Sequence, residues 1–182
     1  MNAAPPPDLA TALQHAELLH DRAAIEQAIA RMAQRIRNDM AGSRPVYLTV
    51  MKGGLFFGAE LALQLGIDIE MDYLHATRYR GTSGGAELAW IREPRADVRG
   101  RRVLLVDDIL DEGPTLVAVR DWVRERGALD TRIAVLCWKR HGRGVPGLEP
   151  DYHGLEVPDR YVFGYGMDFH EQGRNLPAIY AL

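Results

Sequence analysis

Apolar positions along the chain switch repeatedly between helical and strand-like spacing. Ile25, Ile29, Met32, Ile36 and Met40 recur every three or four residues behind Asp21, which predicts an amphipathic helix with an aspartate N-cap. Residues 42–45 carry the glycine and proline that end it. Residues 46–50 form a short apolar run, a candidate buried strand, punctuated by Gly53-Gly54. Residues 55–65 read as a second helix stopped by Gly66. Residues 67–74 alternate apolar and polar like a strand, and the polar, glycine-containing stretch 75–85 predicts a mobile loop. Residues 103–106 form the central strand and 116–126 a helix, with Leu116, Val119 and Val123 facing inward. Residues 133–138 are another buried strand, and the aromatic, glycine-rich tail from Tyr152 onward holds short strand-like pieces.

Strands alternating with helices predict an α/β fold: a twisted, mainly parallel sheet flanked by helices. Neither an internal repeat nor a linker divides residues 1–182, so one domain is expected. Residues 1–10, with three prolines, read as a flexible lead-in. The segments from about 11–20 and 152–182 fit the βα rhythm poorly, which predicts a small hood over the carboxyl ends of the strands.

Composition narrows the partners. At 47% hydrophobic and 26% charged, the 182 residues resemble an ordinary globular protein with enough chain for a sizeable core. A net charge of -3 gives no support to a broad basic surface for nucleic acid. No apolar run is long enough to span a bilayer, and the N-terminus lacks a signal-peptide pattern, so a cytoplasmic location is expected. The single cysteine, Cys137, excludes an internal disulfide and sits in an apolar run, where it reads as a small core residue.

The richest chemistry lies between Val103 and Leu116. There Val-Leu-Leu-Val ends in Asp107 and Asp108, and Asp111, Gly113 and Thr115 follow before a helical pattern begins. Ligands of open α/β sheets bind outside the carboxyl ends of the strands, and a helix N-terminus holds anions. Two adjacent carboxylates repel each other and cost free energy unless a metal or sugar hydroxyls pair with them. Alone, an Asp-Asp pair is usually a solvated strand end or a helix cap. With a buried strand before it and Asp-x-Gly-x-Thr after it, the segment points to a phosphorylated sugar.

This segment resembles the phosphoribosyl-pyrophosphate (PRPP) motif of type I phosphoribosyltransferases. Three further stretches are similar to motifs of the hypoxanthine-guanine phosphoribosyltransferases: Met51-Lys52-Gly53-Gly54, Trp138-Lys139-Arg140, and Val157 through Asp168. The resemblance implies a PRPP site formed by Lys52, Gly53, Asp107, Asp108, Asp111, Glu112, Gly113, Pro114, Thr115 and Arg174. It implies ribose hydroxyls and Mg²⁺ on Asp107 and Asp108, a second Mg²⁺ on Asp168, and Asp111 as the base at purine N7. The 5-phosphate would sit on the backbone N–H groups of residues 111–115 and the Thr115 hydroxyl. In the family the Lys-Gly bond of the pyrophosphate loop can be cis. The purine would be held by Lys139 at its 6-oxo group, by Tyr161 stacking, by the Val162 backbone and near Asp168. Met51 to Gly54 alone is also an ordinary βα turn, Lys139 a snorkelling surface lysine, Tyr161 a core aromatic, and Asp168 with Arg174 a surface ion pair.

Three positions depart from the family pattern. Glu112 and Pro114 stand where Thr-Gly-Lys-Thr is common, so one phosphate donor is lost and an acceptor of the wrong charge appears. Arg78 precedes Tyr79 where the mobile loop usually carries Ser-Tyr. His75, His141, His153 and His170 form no recognisable metal spacing and receive no role. The resemblance thus implies an Mg²⁺-dependent purine salvage enzyme, a homodimer or homotetramer, that joins hypoxanthine or guanine to PRPP. A xanthine-preferring transferase and a non-catalytic nucleotide-sensing regulator are the alternatives.

Overall fold

The computed structural model describes residues 8–80 and 86–182, and the side chains of these apart from 78–80 and 86–88. The elements run α1 (Leu9–His15), β1 (Glu17–His20), α2 (Arg22–Met40), β2 (Val46–Met51), α3 (Leu55–Leu65), β3 (Glu70–Arg80) and β4 (Ala86–Arg92). They continue β5 (Arg102–Leu110), α4 (Pro114–Glu125), β6 (Asp130–Lys139), β7 (Tyr152–Val157), β8 (Val162–Phe163) and β9 (Ile179–Ala181). The main sheet has the order β4-β3-β2-β5-β6-β7. Its pairings are parallel except β3 with β4.

Alternation along the central strands divides the core into two layers. Leu104 and Val106 join Tyr47, Ile25, Ile29, Met32 and Ile36 under α2 and α3. Val103 and Leu105 join Val46, Leu48, Leu116, Val119 and Val123 under α4. This doubly covered sheet accounts for strands that read as continuous apolar runs. The local signals act as expected: the Asp21 carboxylate accepts from the Ala24 N–H at 2.8 Å to start α2, and Gly66, at φ 63°, closes α3. Among the described residues no helix is long and apolar enough to cross a membrane.

The structure corrects three expectations. The loop expected over 75–85 is instead largely strand: β3 runs to Arg80 and pairs with β4, placing Arg78 opposite Leu88 and Tyr79 opposite Glu87 in the register. The partner strand, not local polarity, decides this segment. The tip 81–85 and the Arg78 and Tyr79 side chains lie outside the described residues. The hood is also smaller than expected. Tyr152–Val157 joins the main sheet beside β6, and Tyr152 is only 2% exposed there. The hood sheet is β1-β9-β8, with α1 packed on Phe163 and Phe169. Finally, helix reaches back before residue 11, to Leu9. Asp8 caps α1 by accepting from the Thr11 N–H at 3.2 Å, and residues 1–7 lie outside the described part.

Candidate functional site

Parallel pairing brings the carboxyl ends of β2, β5 and β6 to one edge, and each end turns into a polar loop. Behind β2 the Met51–Lys52 peptide is cis, one bond earlier than the Lys-Gly bond expected. Gly53 then passes so close to the acidic pair that a Cβ there would lie 2.1 Å from Asp108 Oδ2. Gly166 of the hood closes on the same loop, and a Cβ there would meet the Gly53 carbonyl oxygen at 2.2 Å. Two glycine-dependent approaches thus fuse the Lys52 loop, the acidic strand end and the hood.

Asp107 and Asp108 follow the continuously buried run of β5, residues 103–106. Asp107 Oδ1 accepts from the Asp108 N–H at 2.9 Å, and Asp108 Oδ1 from the Ile109 N–H at 2.8 Å. Burial raises the pKa of both, and for Asp107 the neighbouring Asp108 charge adds to it. Among the described residues neither forms an ion pair. An unneutralised carboxylate pair, Asp108 buried and Asp107 half-buried, is a donor set that fits Mg²⁺, which accepts one or two carboxylates and fills its shell with water and phosphate oxygens. No cluster of three ligating side chains occurs among the described residues, so a metal would draw its remaining ligands from substrate and water.

Asp111 lies between two donors. Lys139 Nζ is 2.6 Å from its Oδ2, and His141 Nε2 is 2.6 Å from its Oδ1. Burial pushes the Asp111 pKa up, but the Lys139 and His141 hydrogen bonds outweigh it and hold the carboxyl below its ordinary range. Lys139 is 8% exposed, so it is not a snorkelling surface lysine. His141, which received no role from its spacing, belongs to the site. Its signal was its place two residues past Lys139, just beyond the end of β6.

α4 starts at Pro114 behind Gly113, which sits at φ 86° and contributes no side-chain cap. A Cβ on Gly113 would lie 2.2 Å from Leu148 Cδ2. The first-turn N–H groups and Thr115 border the cleft, an arrangement suited to an anion. Glu112 is exposed, and its carbonyl accepts from the Val145 N–H at 2.9 Å.

From the hood, Tyr161 presents a ring 46% exposed, braced edge-on by Phe169 at 5.8 Å. Its hydroxyl donates to the Asp168 carbonyl at 3.2 Å, and Val162 follows at the start of β8. Arg174 donates to Asp168 Oδ1 at 2.6 Å and to the Gly166 carbonyl at 2.7 Å. Lys52 Nζ pairs with Glu171 Oε2 at 2.8 Å, and Arg174 reaches the same oxygen at 3.7 Å. Glu171, absent from the sequence expectations, therefore touches both cations expected to meet pyrophosphate. Every site residue expected from the sequence, apart from Arg78 and Tyr79, lines one cleft of about 490 Å³.

A mainly parallel sheet, an acid pair at its central strand end, an open helix N-terminus beside it and a hood across from it define a phosphoribosyltransferase. The family model for the phosphoribosyl transferase domain matches residues 15–170. The chain is 37% identical over 161 residues to a hypoxanthine-guanine phosphoribosyltransferase of Streptococcus pneumoniae, covering 88% of each. It is 32% identical over 162 residues to the hypoxanthine-guanine-xanthine phosphoribosyltransferase of Tritrichomonas foetus, covering 89% of this chain and 88% of that one. The crystal structure of a hypoxanthine phosphoribosyltransferase from Staphylococcus aureus superposes with a TM-score of 0.87 at 25% identity, covering 96% of both chains. The chain belongs to the hypoxanthine-guanine phosphoribosyltransferase family.

Proposed function

We propose that this protein transfers the phosphoribosyl group of PRPP to N9 of hypoxanthine or guanine, giving IMP or GMP and pyrophosphate. The observation that carries this is the Asp111–Lys139 pair at 2.6 Å, set in the same cleft as Asp107, Asp108 and the α4 N-terminus. One cleft thereby offers a base, a donor for a 6-oxo group, carboxylates for ribose hydroxyls and a seat for a phosphate.

In the reaction the N9–C1 bond forms and the C1–oxygen bond to pyrophosphate breaks, its electron pair leaving with pyrophosphate. Asp111 takes or holds the purine proton at N7, which raises electron density at N9. Lys139 donates to the 6-oxo group, a contact that adenine cannot make because it presents a donor there. Tyr161 stacks on the base and the Val162 backbone reads its edge. Asp107 and Asp108 hold the ribose hydroxyls, and the first turn of α4 with the Thr115 hydroxyl holds the 5-phosphate. Lys52, Gly53 and Arg174 receive pyrophosphate, replacing the Glu171 carboxylate as partner of Lys52. One Mg²⁺ held by Asp107 and Asp108 and a second held by Asp168 would supply charge neutralisation for the departing pyrophosphate. The hood and the Arg78–Tyr79 hairpin exclude water from the cationic sugar.

A xanthine preference is not favoured, since the Streptococcus pneumoniae relative is named for hypoxanthine and guanine. A non-catalytic regulator is not favoured either, with Asp111, Lys139 and Asp168 all on the cleft wall. A cytoplasmic homodimer or homotetramer, acting as one domain, completes the proposal. Product formation from PRPP and Mg²⁺ with hypoxanthine, guanine, xanthine and adenine in parallel tests it. Turnover with hypoxanthine and guanine is expected, and turnover with adenine alone would overturn it.

A further inference from the structure

His141 follows β6 in a loop that no motif of the family explains, yet its side chain is 5% exposed and both ring nitrogens are engaged. Nδ1 accepts from the Arg143 N–H at 3.1 Å, and Nε2 faces Asp111 Oδ1 at 2.6 Å. A backbone amide can only donate, so Nδ1 carries no proton there and the neutral ring bears its hydrogen on Nε2. His141 thus donates to Asp111.

The loop is itself fastened. Arg143 forks onto Asp159 with contacts of 2.6 and 2.5 Å, and the Val145 N–H donates to the Glu112 carbonyl at 2.9 Å. The charged and titratable groups around the ring are Asp111 and Glu112 from the β5–α4 loop, Lys139 from β6, Arg143 from its own loop and Asp159 from the segment before β8, with Arg140 and Glu149 on the same recess. The imidazole is held from behind and aimed at one oxygen of one carboxylate.

The two donors on Asp111 have different futures in the proposed reaction. Lys139 is needed at the 6-oxo group, so purine binding takes it from Oδ2 and leaves that oxygen for N7. A carboxylate rotates easily about its last bond, whose torsional wells are broad. With Lys139 gone, the bond from His141 to Oδ1 is what sets the plane in which Oδ2 meets N7.

We propose that His141 is a positioning residue for Asp111, fixing its carboxylate plane through the Nε2–H···Oδ1 hydrogen bond while Lys139 turns to the purine. The inference rests on the proposed transferase reaction. It goes beyond the family motifs, which stop at Lys139-Arg140.

Two substitutions test it. His141→Phe keeps the ring volume and removes the donor; His141→Gln keeps a donor at about the reach of Nε2. In His141→Phe, kcat with hypoxanthine should fall about ten-fold or more. The PRPP KM should stay within about two-fold, since Asp107, Asp108 and the α4 N-terminus are untouched. The Asp111 carboxyl, observed by carbon NMR without substrates, should titrate at higher pH, because a donor to its ionised form is gone. The acidic limb of kcat/KM should move up with it. His141→Gln should restore most of kcat and of the titration. His141→Ala serves the first arm if the phenyl ring is not accommodated.

Wild-type kcat and an unmoved Asp111 titration in His141→Phe would overturn the assignment. So would a His141→Gln variant as impaired as His141→Phe, since packing rather than the donor would then matter. Failure of the wild-type protein to turn over any 6-oxopurine would instead overturn the proposed reaction. The substrate-free titration would still report whether the hydrogen bond exists.

Discussion

Lys139 Nζ sits 2.6 Å from Asp111 Oδ2, joining the end of β6 to the loop that follows β5. The two strands are parallel neighbours, with Ile109 opposite Cys137 and Leu110 opposite Trp138, so the next residue on each side meets at the strand ends. Burial makes the pairing matter. Lys139 is 8% exposed, and an ammonium so placed costs free energy unless a carboxylate faces it. Each group thus satisfies the other, and in the proposed reaction a purine would enter by exchanging that ion pair for its own N7 and 6-oxo contacts.

Asp111→Asn removes the base while keeping its shape. Turnover with hypoxanthine should fall by about 10²- to 10⁴-fold, the usual range for a general acid–base group. PRPP binding should survive, because in the proposed reaction the ribose and phosphate contacts come from Asp107, Asp108 and the first turn of α4. Steady-state kcat together with calorimetric PRPP affinity checks the split. Near-normal turnover would remove Asp111 from the mechanism.

Lys139→Met separates recognition from protonation. Loss of the donor to the 6-oxo group should lower kcat/KM for hypoxanthine by about ten- to a hundred-fold, as for a hydrogen bond to a charged group. Asp111 is now held below the ordinary carboxyl range by Lys139 and His141. Removing Lys139 should therefore raise its pKa, and the base should be lost at a higher pH as acidity increases. The acidic limb of the kcat/KM profile moves up in the variant, and an unmoved limb would show that Lys139 does not act on Asp111.

Much of this was legible in sequence because it is local. α2 and α3 carry their own stop and start signals, Asp21 and Gly66, and both act where expected. The apolar run before Asp107 is a strand buried on both faces, and Cys137 is a core residue whose thiol burial pushes up. What failed was decided at a distance. β3 runs on to Arg80 because β4 supplies its hydrogen bonds, and Tyr152–Val157 joins the main sheet because β6 offers an open edge. His141 shows its role only when Asp111, distant in sequence, lies beside it. Glu171 likewise meets Lys52 only because the hood folds over the β2 loop.

Gly53→Ala should cripple the enzyme without unfolding it. The added Cβ would lie 2.1 Å from Asp108 Oδ2 and 2.5 Å from its Cγ, and Asp108 is 8% exposed with little room to retreat. Overpacking of this kind costs about 1–3 kcal/mol. The displaced group is a ribose ligand in the proposed reaction, so PRPP affinity should fall more than stability does. Chemical denaturation and PRPP titration on the same sample check this, and unchanged PRPP affinity would remove Asp108 from the ribose site.

Asp72 ties β3 to the chain beyond β4. Its carboxylate accepts from the backbone of Tyr73, Arg95 and Ala96 and pairs with Arg92 at 2.8 Å, with its side chain 11% exposed. Burial pushes its pKa up, yet these donors outweigh burial and leave it below the ordinary value. A group whose folded pKa is depressed stabilises the protein above its unfolded pKa, and that contribution is lost as pH falls through the folded value. Asp72→Asn should therefore destabilise by about 1–3 kcal/mol at neutral pH and by progressively less towards strong acid. Urea unfolding across that range checks the convergence.

Glu112 places a carboxylate beside the proposed phosphate cradle, where the family pattern has a hydroxyl. The backbone of this turn does not depend on the side chain. The Glu112 carbonyl accepts from the Val145 N–H, and Gly113 is fixed by Leu148. Replacing the side chain therefore changes charge without moving the cradle. Two like unit charges about 4 Å apart in water repel by about 1 kcal/mol, which corresponds to about five-fold in affinity. Glu112→Gln should lower the PRPP KM by about that factor at low ionic strength, and Glu112→Thr by more, because a hydroxyl donor is added. The advantage of Glu112→Gln should shrink at high salt, where exposed charges are screened, whereas the hydroxyl contribution should persist. The hypoxanthine KM should not change in either variant. An unchanged PRPP KM at low salt would mean that the carboxylate lies clear of the phosphate, and that Pro114 alone sets the weakness of this cradle.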